Sequence, residues 1–209
     1  MSTLSSVEFF HNWAKERLDE MDATLASLKD QASEVQAASR AKADQLLADL
    51  RKRRHEFQEG VKMQAETSEA AWLRTKAQLE TQWNGFEAEV QKYFETFSKE
   101  GEQQKATFQN VAAAQLKAWQ DASDNVRAAA AEFAAERRAD IDAAVKQMKA
   151  NASEAETSFQ NLARAGTASW TALTGALAQS RAAFDGALQA AADALKRAGQ
   201  SGGVGQTKR

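Results

Sequence analysis

The side chains that could carry out acid–base or metal chemistry are few, and they are far apart in the sequence. The only histidines are His11 and His55, so no histidine pair has the i, i+4 spacing of a helical metal site. The chain has no cysteine, which excludes disulfides and thiolate ligands. No serine lies in a glycine-flanked nucleophile elbow, and no glycine-rich phosphate loop precedes a helical pattern. We therefore expect a protein that is not an enzyme, with no metal, cofactor or small-molecule substrate.

Charged residues are abundant and mixed in sign, with 27 basic and 29 acidic residues and a net charge of −2. This balance argues against nucleic acid as a partner, because nucleic-acid binders carry a basic stripe. Mixed clusters such as residues 15–17 (Lys-Glu-Arg) and 136–138 (Glu-Arg-Arg) are typical of solvated helix faces. The run at 51–55 (Arg-Lys-Arg-Arg-His) has two interpretations. It either binds an anionic lipid or nucleic-acid backbone, or, as we favour, is another charged helix surface.

A line of aromatic side chains at helical spacing is the most informative feature of the sequence. From Leu79 to Leu195, steps of three or four residues reach nearly every large apolar residue, and Tyr93 and Leu116 are the exceptions. This period indicates α-helix with one narrow apolar stripe. The stripe either packs as a core between helices, which we favour, or serves as a surface that self-associates or adsorbs onto an apolar substance. The aromatic residues assigned to this surface are Trp72, which precedes the stripe, and Trp83, Phe86, Phe94, Phe97, Phe108, Trp119, Phe133, Phe159, Trp170 and Phe184.

The elements that carry this stripe are predicted to be helices throughout. The chain has no proline, which costs about 3 kcal/mol inside a helix. Only one isoleucine (Ile141) and one tyrosine are present, so the residues that favour β-strands are scarce. Alanine, Glu, Gln, Lys and Arg supply most of the remainder, and all of them favour helix. The fold class is therefore all-α.

The stripe is weakest between Ser98 and Thr107, which predicts that the chain folds back near 99–103. Gly101 suits the left-handed conformation that often ends a helix. We expect an elongated antiparallel hairpin of very long helices, a single coiled-coil domain spanning 1–198. Facing residue numbers would then sum to about 202, which pairs Trp83 with Trp119 and Leu18 with Phe184.

An alternative arrangement is an elongated four-helix bundle, with additional helix breaks near 55–60 and 149–153. The stripe also turns polar at 36–45 and at 62–71. The glycine-rich segment 199–209 is expected to be a disordered tail. The first residues show neither a basic nor an apolar leader region, and no apolar run is long enough to span a membrane. We therefore expect a cytoplasmic protein.

In its composition and amphipathic helical pattern the chain resembles the bacterial phasins, which coat polyhydroxyalkanoate storage granules. Exchangeable apolipoproteins have a similar composition and pattern. The resemblance rests on a proline-poor, cysteine-free, Ala/Gln/Lys/Glu-rich helical chain of this size. Stretches such as 169–177 (Ser-Trp-Thr-Ala-Leu-Thr-Gly-Ala-Leu) and 181–185 (Arg-Ala-Ala-Phe-Asp) are similar in kind. It implies a homo-oligomeric scaffold at the periphery of a granule or membrane. The alternative is a purely structural or partner-binding coiled coil without affinity for lipid or polymer.

Overall fold

The chain is all-α, as its composition predicts. The computed structural model describes residues 3–63, 69–97, 101–165 and 170–200, with the side chains of 3–8, 69, 70 and 72 excepted. Within these ranges there are six helices and no strand. The helices are α1 (Thr3–Ala32), α2 (Ala37–Lys62), α3 (Glu69–Phe97), α4 (Gly101–Ala130), α5 (Ala135–Arg164) and α6 (Trp170–Gln200).

The single long hairpin predicted from the stripe is wrong. Residues 98–100, where the predicted turn at 99–103 begins, lie outside the described residues, but α1 already ends at Ala32 and α4 ends at Ala130. A turn such as 33–36 is close to one helical turn in length, so counting in steps of three or four residues passes through it without losing phase. The apolar line therefore continues across breaks that it cannot reveal.

The four-helix alternative is wrong in its break points. Helix α2 runs without interruption through 55–60, and α5 runs through 149–153. Helix α6 includes Gly199 and Gln200, the first two residues of the segment expected to be a disordered tail. The remaining residues of that segment, 201–209, lie outside the described residues.

Helices α1, α2 and α3 form an up–down–up unit, called the N-terminal half below. Helices α1 and α3 are parallel: the Tyr93 hydroxyl donates to the Leu28 carbonyl (3.4 Å), and the Lys76 ammonium lies 5.0 Å from the Trp13 ring. Helix α2 runs in the opposite direction and packs against both, with the Phe57 ring 6.1 Å from that of Trp13.

Helices α4, α5 and α6, the C-terminal half, repeat this arrangement. Helix α4 begins at Gly101, 98 residues after α1 begins at Thr3, and α5 begins at Ala135, 98 residues after α2 begins at Ala37. Helices α4 and α6 are parallel in the same way as α1 and α3, because the Trp170 amide donates to Gln104 near their N-terminal ends. The two halves are therefore built to one plan.

The sequence carries the same repeat. Residues 32–37 read Ala-Ser-Glu-Val-Gln-Ala, and residues 130–135, again 98 positions later, read Ala-Ala-Glu-Phe-Ala-Ala. Both segments form the first turn of their half, and Val35 and Phe133 each pack against the core there. Pairs of identical large residues at this spacing are Trp72 and Trp170, Leu79 and Leu177, and Phe86 and Phe184. This agreement indicates an internal duplication of one three-helix unit.

The two halves pack against each other mainly through α1 and α4, which are antiparallel. Ser27 shares a hydrogen bond with Thr107 (2.8 Å), and the Asn125 amide donates to Asn12 (3.1 Å). Helices α1 and α6 are also antiparallel, and an ion pair joins residues 17 and 185. Their numbers sum to 202, the register predicted for Leu18 and Phe184. Helices α2 and α5 lie outside this central group.

The helices approach one another more closely in the C-terminal half. Small side chains fill its interior, since α4 and α6 bury Ala112, Ala118, Ala122, Ala187, Ala191 and Ala194. Helix α3 instead buries Trp83, Phe86, Tyr93 and Phe94, and such large rings hold backbones apart. Helices α2 and α3 pack mainly on each other and on α1, with a smaller contact to α6. They are called the α2–α3 hairpin below.

Candidate functional site: an aromatic core around a buried charge cluster

The predicted stripe residues lie in the interior of the bundle. Trp72 belongs to α3, but its side chain is outside the described residues. Phe97 and Phe133 are half-buried and pack against the core. The others are buried: Trp83, Phe86, Phe94, Phe108, Trp119, Phe159, Trp170 and Phe184. In the closed bundle these rings form the core, and their use as a surface or self-association site stays a prediction.

Several of the rings meet across helices, but not in the predicted pairs. Trp119 stacks on Phe184 with ring centroids 4.5 Å apart and an interplanar angle of 6°. It does not face Trp83, because α3 and α4 are not hairpin partners in the bundle. Phe94 packs against Trp170 at 4.5 Å and so joins α3 to α6.

A cluster of charged side chains interrupts this core where α1, α3, α4 and α6 meet. On α1, a guanidinium nitrogen of Arg17 lies 2.8 Å from the Glu16 carboxylate, and the other donates to Asp185 of α6 at 3.2 Å. The side chains of Arg17 and Glu16 are 7% and 2% exposed. An ion pair so little exposed is costly to form unless all of its polar atoms find partners.

A second arginine completes the cluster from α6. Arg181 donates to Glu87 of α3 (2.7 Å) and lies 3.6 Å from the Glu20 carboxylate of α1. Helix α4 contributes Gln115, whose amide donates to Glu20 at 3.1 Å. We call Glu16, Arg17, Glu20, Glu87, Gln115, Arg181 and Asp185 the charge cluster.

Trp83 of α3 lies between the two arginines. The Arg17 guanidinium is 5.6 Å and that of Arg181 is 5.0 Å from the centre of the Trp83 ring. Cation–π contacts of this kind contribute more when they are removed from water. Positions 83 and 181 are equivalent in the two halves, and their side chains are in contact.

The charge cluster leaves many polar atoms without a hydrogen-bond partner. Both donors and acceptors are involved, and each such buried atom costs roughly 1–3 kcal/mol. The atoms are Arg181 Nε, one oxygen each of Glu20, Gln115 and Asp185, and the indole nitrogens of Trp13 and Trp83 beside the cluster.

Burial changes the acidity of the carboxyl groups in this cluster. Loss of hydration raises the pKa of Glu16 to about 8, although the neighbouring Arg17 charge acts in the opposite direction. Burial also raises the pKa of Glu20, against the attraction of Arg181, and that of Asp185, against Arg17. The cluster therefore favours the protonated form of its acids.

The sequence interpretation of residues 15–17 as a solvated face is wrong for two of the three. Lys15 is exposed, but Glu16 and Arg17 are buried. The helical period contained the signal, since Arg17 follows Trp13 and precedes Met21 by four residues on the apolar face of α1. Arg181 likewise follows Leu177 by four residues and precedes Phe184 by three, on the apolar face of α6.

The basic run at 51–55 lies on the outer side of α2. Arg51, Lys52 and His55 are exposed, as expected for a charged helix surface. Arg54 forms a two-point ion pair with Asp22 of α1, with both distances 2.8 Å. Part of the run therefore joins α2 to α1.

No protein-family model, curated protein or solved structure matches the chain. In the part of the chain that the structure describes, no group of His, Asp or Glu side chains is arranged to hold a metal ion. None of the helices, over the same residues, has the length and apolarity to cross a membrane.

Proposed function

We propose that the protein is a non-enzymatic scaffold that coats an apolar surface by opening its helical bundle. The surface would be a storage-polymer granule or a membrane periphery, as the phasin-like texture implies. The observation that carries this proposal is the concentration of aromatic side chains on the inner face of the α2–α3 hairpin. Trp83, Phe86, Tyr93 and Phe94 are all buried against α1, α2 and α6.

The energetics of these side chains favour closure in water and opening on a surface. Burial of one large apolar side chain contributes about 1.5–3 kcal/mol, so exposure of four of them costs on the order of 10 kcal/mol. An apolar surface restores that contribution, because the same rings leave water again when they adsorb. The helices themselves need not unfold, since their backbone hydrogen bonds are internal.

The end of the α2–α3 hairpin at the connection between its two helices would make the first contact with an apolar surface. Met63 is 75% exposed and Leu73 is 56% exposed, and both stand next to the connection between α2 and α3. Among the described residues they are the large apolar side chains that remain in water. An apolar surface that takes up these two side chains would hold the hairpin beside it while the rest of the hairpin opens.

Self-association belongs to the same proposal, because a coat requires contact between neighbouring copies of the chain. Open bundles expose their alanine-rich helix flanks side by side on one surface. We expect the free protein to self-associate at micromolar concentration, with sedimentation as the measurement. A strict monomer under those conditions would remove this part of the proposal.

The second candidate is a structural or partner-binding helical protein without affinity for lipid or polymer. The charge cluster favours it to some extent, since buried polar groups often serve to select one packing arrangement. On this hypothesis the bundle stays closed and its exposed faces bind other proteins. The two candidates differ in whether the interior ever reaches an apolar surface.

A cross-link that holds the hairpin closed tests the proposal. The chain has no cysteine, so Asp22→Cys with Arg54→Cys provides a unique pair across α1 and α2. The pair is joined by a short cleavable bismaleimide. Binding to phosphatidylcholine vesicles and to polyhydroxybutyrate particles is then measured by co-sedimentation. We expect the linked protein to lose binding and to recover it when the linker is cleaved.

The matched control places the same linker in the other half. Asp124 of α4 and Lys149 of α5 form an ion pair at 3.6 Å, so Asp124→Cys with Lys149→Cys joins these two helices. This cross-link should leave binding unchanged, because the hairpin remains free to open. Absence of binding by the unlinked protein to either surface would favour the partner-binding candidate instead.

A further inference from the structure

We propose that the charge cluster is a latch that holds the α2–α3 hairpin against α1 and α6, and that ionisation of Glu16 and Glu20 releases it. The latch adds regulation to the coating function proposed above and rests on it in that respect. The latch itself acts in the free protein, so it is testable without any surface.

The position of the cluster gives it this role. Helix α3 has only a small contact with α6, and the cluster forms one part of it, beside the packing of Phe94 on Trp170. Arg181 donates to Glu87 at 2.7 Å and lies 5.0 Å from the Trp83 ring. On the α1 side, the Arg17 guanidinium lies 5.6 Å from the same ring. Trp83 and Glu87, one helical turn apart on α3, are thus held by two arginines that belong to the other helices.

The charges of the cluster do not balance when every group is ionised. Two buried carboxyl groups (Glu16, Glu20) and two partly buried ones (Asp185, Glu87) face only the guanidinium groups of Arg17 and Arg181. Helix α3 also brings Lys76, which attracts Asp185 but is itself paired with Glu80. Helix α4 faces the cluster with the uncharged Gln115 and Trp119. Among the described residues, α2 and α5 place no charged group at ion-pair distance from these carboxyl groups.

Protonation of Glu16 and Glu20 removes the excess negative charge of the cluster. When these two groups are ionised, the excess charge raises the free energy of the closed form. The Glu16 carboxyl group is buried and is approached by one guanidinium, that of Arg17, and by the Trp119 indole, so its ionised form has little to replace the water that it loses. Opening of the hairpin admits water to these atoms and removes that penalty. The protonated cluster therefore favours the closed hairpin, and the ionised cluster favours the open one.

The direction of the pH dependence follows from the acidity of Glu16. Its pKa is about 8 in the closed bundle, against an ordinary value of 4.5. The closed form therefore binds a proton that the open form has released between these two values, and its advantage is lost as pH rises through 8. Across that range the open fraction should increase by up to about tenfold per pH unit for one such group. Glu20 and Asp185 act in the same direction.

The test measures hairpin opening directly in the free protein. Spin labels on Asn84→Cys of α3 and Ala113→Cys of α4 occupy exposed positions, and no other cysteine is present. Pulsed dipolar spectroscopy gives the distance distribution at pH 5.5 and at pH 9. We expect one closed distance at pH 5.5 and a growing longer-distance population at pH 9. A distribution that does not change with pH would overturn the proposal.

Two variants locate the effect in the cluster. Glu16→Gln keeps the size of the side chain but cannot ionise, so most of the long-distance population at pH 9 should disappear. Glu20→Gln should also reduce the long-distance population at pH 9. It replaces Glu16→Gln in the test if that variant does not fold. Glu59→Gln is the control, because Glu59 is an exposed residue of α2 that pairs with Lys62. An opening profile that neither cluster variant alters would overturn the latch.

The outcome is independent of the coating function. Circular dichroism recorded on the same samples should show unchanged helix content, since opening separates helices without melting them. Loss of helix in parallel with the distance change would mean general unfolding and would overturn the latch. Loss of the latch with vesicle binding retained would leave the coating proposal standing, and the reverse result would leave the latch standing.

Discussion

The N-terminal and C-terminal halves share one three-helix plan but fill it with different side chains. Where the N-terminal half has Glu16, Arg17 and Glu20, the C-terminal half has Ala114, Gln115 and Ala118 at the equivalent positions. Tyr93 of α3 is likewise replaced by Ala191 of α6, and both are buried. The plan thus depends on the spacing of inward-facing positions and on the length of the turns. The choice of side chains at those positions then makes the C-terminal half the more closely packed one and gives the N-terminal half more large buried rings and three of the four carboxylates of the charge cluster.

The largest expected effect concerns the close-packed half. Trp119→Ala should lower the free energy of unfolding by about 3–5 kcal/mol, because Trp119 is fully buried and stacked on Phe184. Trp83→Ala should cost less, since the long side chains of Arg17 and Arg181 can move into the vacated space together with water. Urea denaturation followed by circular dichroism measures both. Equal losses would show that the two halves do not differ in this way.

A second prediction exchanges one residue between the halves. Ala191→Tyr introduces the residue of the N-terminal half into α6 and should lower the unfolding free energy by about 1–3 kcal/mol through overpacking. The control is Tyr93→Phe, which removes only a long hydrogen bond to the Leu28 carbonyl and should cost less than about 1 kcal/mol. Thermal or urea denaturation gives both values. An Ala191→Tyr variant as stable as the parent chain would contradict the close packing of α6.

Hydrogen exchange compares the halves without mutation. Amides of α2 and α3 should become accessible with an opening free energy lower than that of α4 and α6 by about 1 kcal/mol or more. The physical reason is the smaller contact of the α2–α3 hairpin with the rest of the bundle. Mass-spectrometric exchange at the level of peptides resolves the six helices. Uniform protection in all of them would mean that the bundle opens only as a whole.

The smallest expected effect concerns the surface ion pair between α1 and α2. Asp22→Asn breaks the two-point contact with Arg54, whose pKa is raised by its hydrogen bond with Asp22. Since the Asp22 side chain is about half exposed to water, the loss should be about 0.5 kcal/mol and should shrink in high salt. Asp124→Asn, which breaks a longer pair with Lys149, should have a still smaller effect. A loss of several kcal/mol would show that α2 depends on this pair.

Periodicity and composition were sufficient to predict the all-α fold and most of the core. Most of the large apolar side chains on the traced line are buried in α3 to α6, because a buried helix face repeats every 3.6 residues. The turns escaped prediction, since the four residues at 131–134 carry the line across a helix end without a change of phase. The polar stretches at 36–45 and 62–71 did mark the start of α2 and the end of α2, respectively.

Helix pairing and the buried charges could not be predicted from the same pattern. A period says which face is inward but not which helix covers it, because pairing depends on contacts between distant parts of the chain. Arg17 and Arg181 looked like surface residues by type, although their spacing placed them on the inward face. The 98-residue repeat was readable from Trp72 and Trp170, and it would have replaced the single hairpin by two equal halves.

The contact between Trp83 and Arg181 bears on whether the two halves could associate as separate chains. These residues occupy equivalent positions of the two halves and touch each other. Two separate C-terminal halves, paired symmetrically, would bring one Arg181 guanidinium against another, and like charges would repel across the interface. Because the two halves are joined in one chain and differ in sequence, the Arg181 guanidinium meets the Trp83 ring instead of a second arginine. The covalent connection also makes their association intramolecular, with an effective concentration on the order of millimolar. Dilution, which dissociates an ordinary dimer, therefore leaves the pairing of the halves intact.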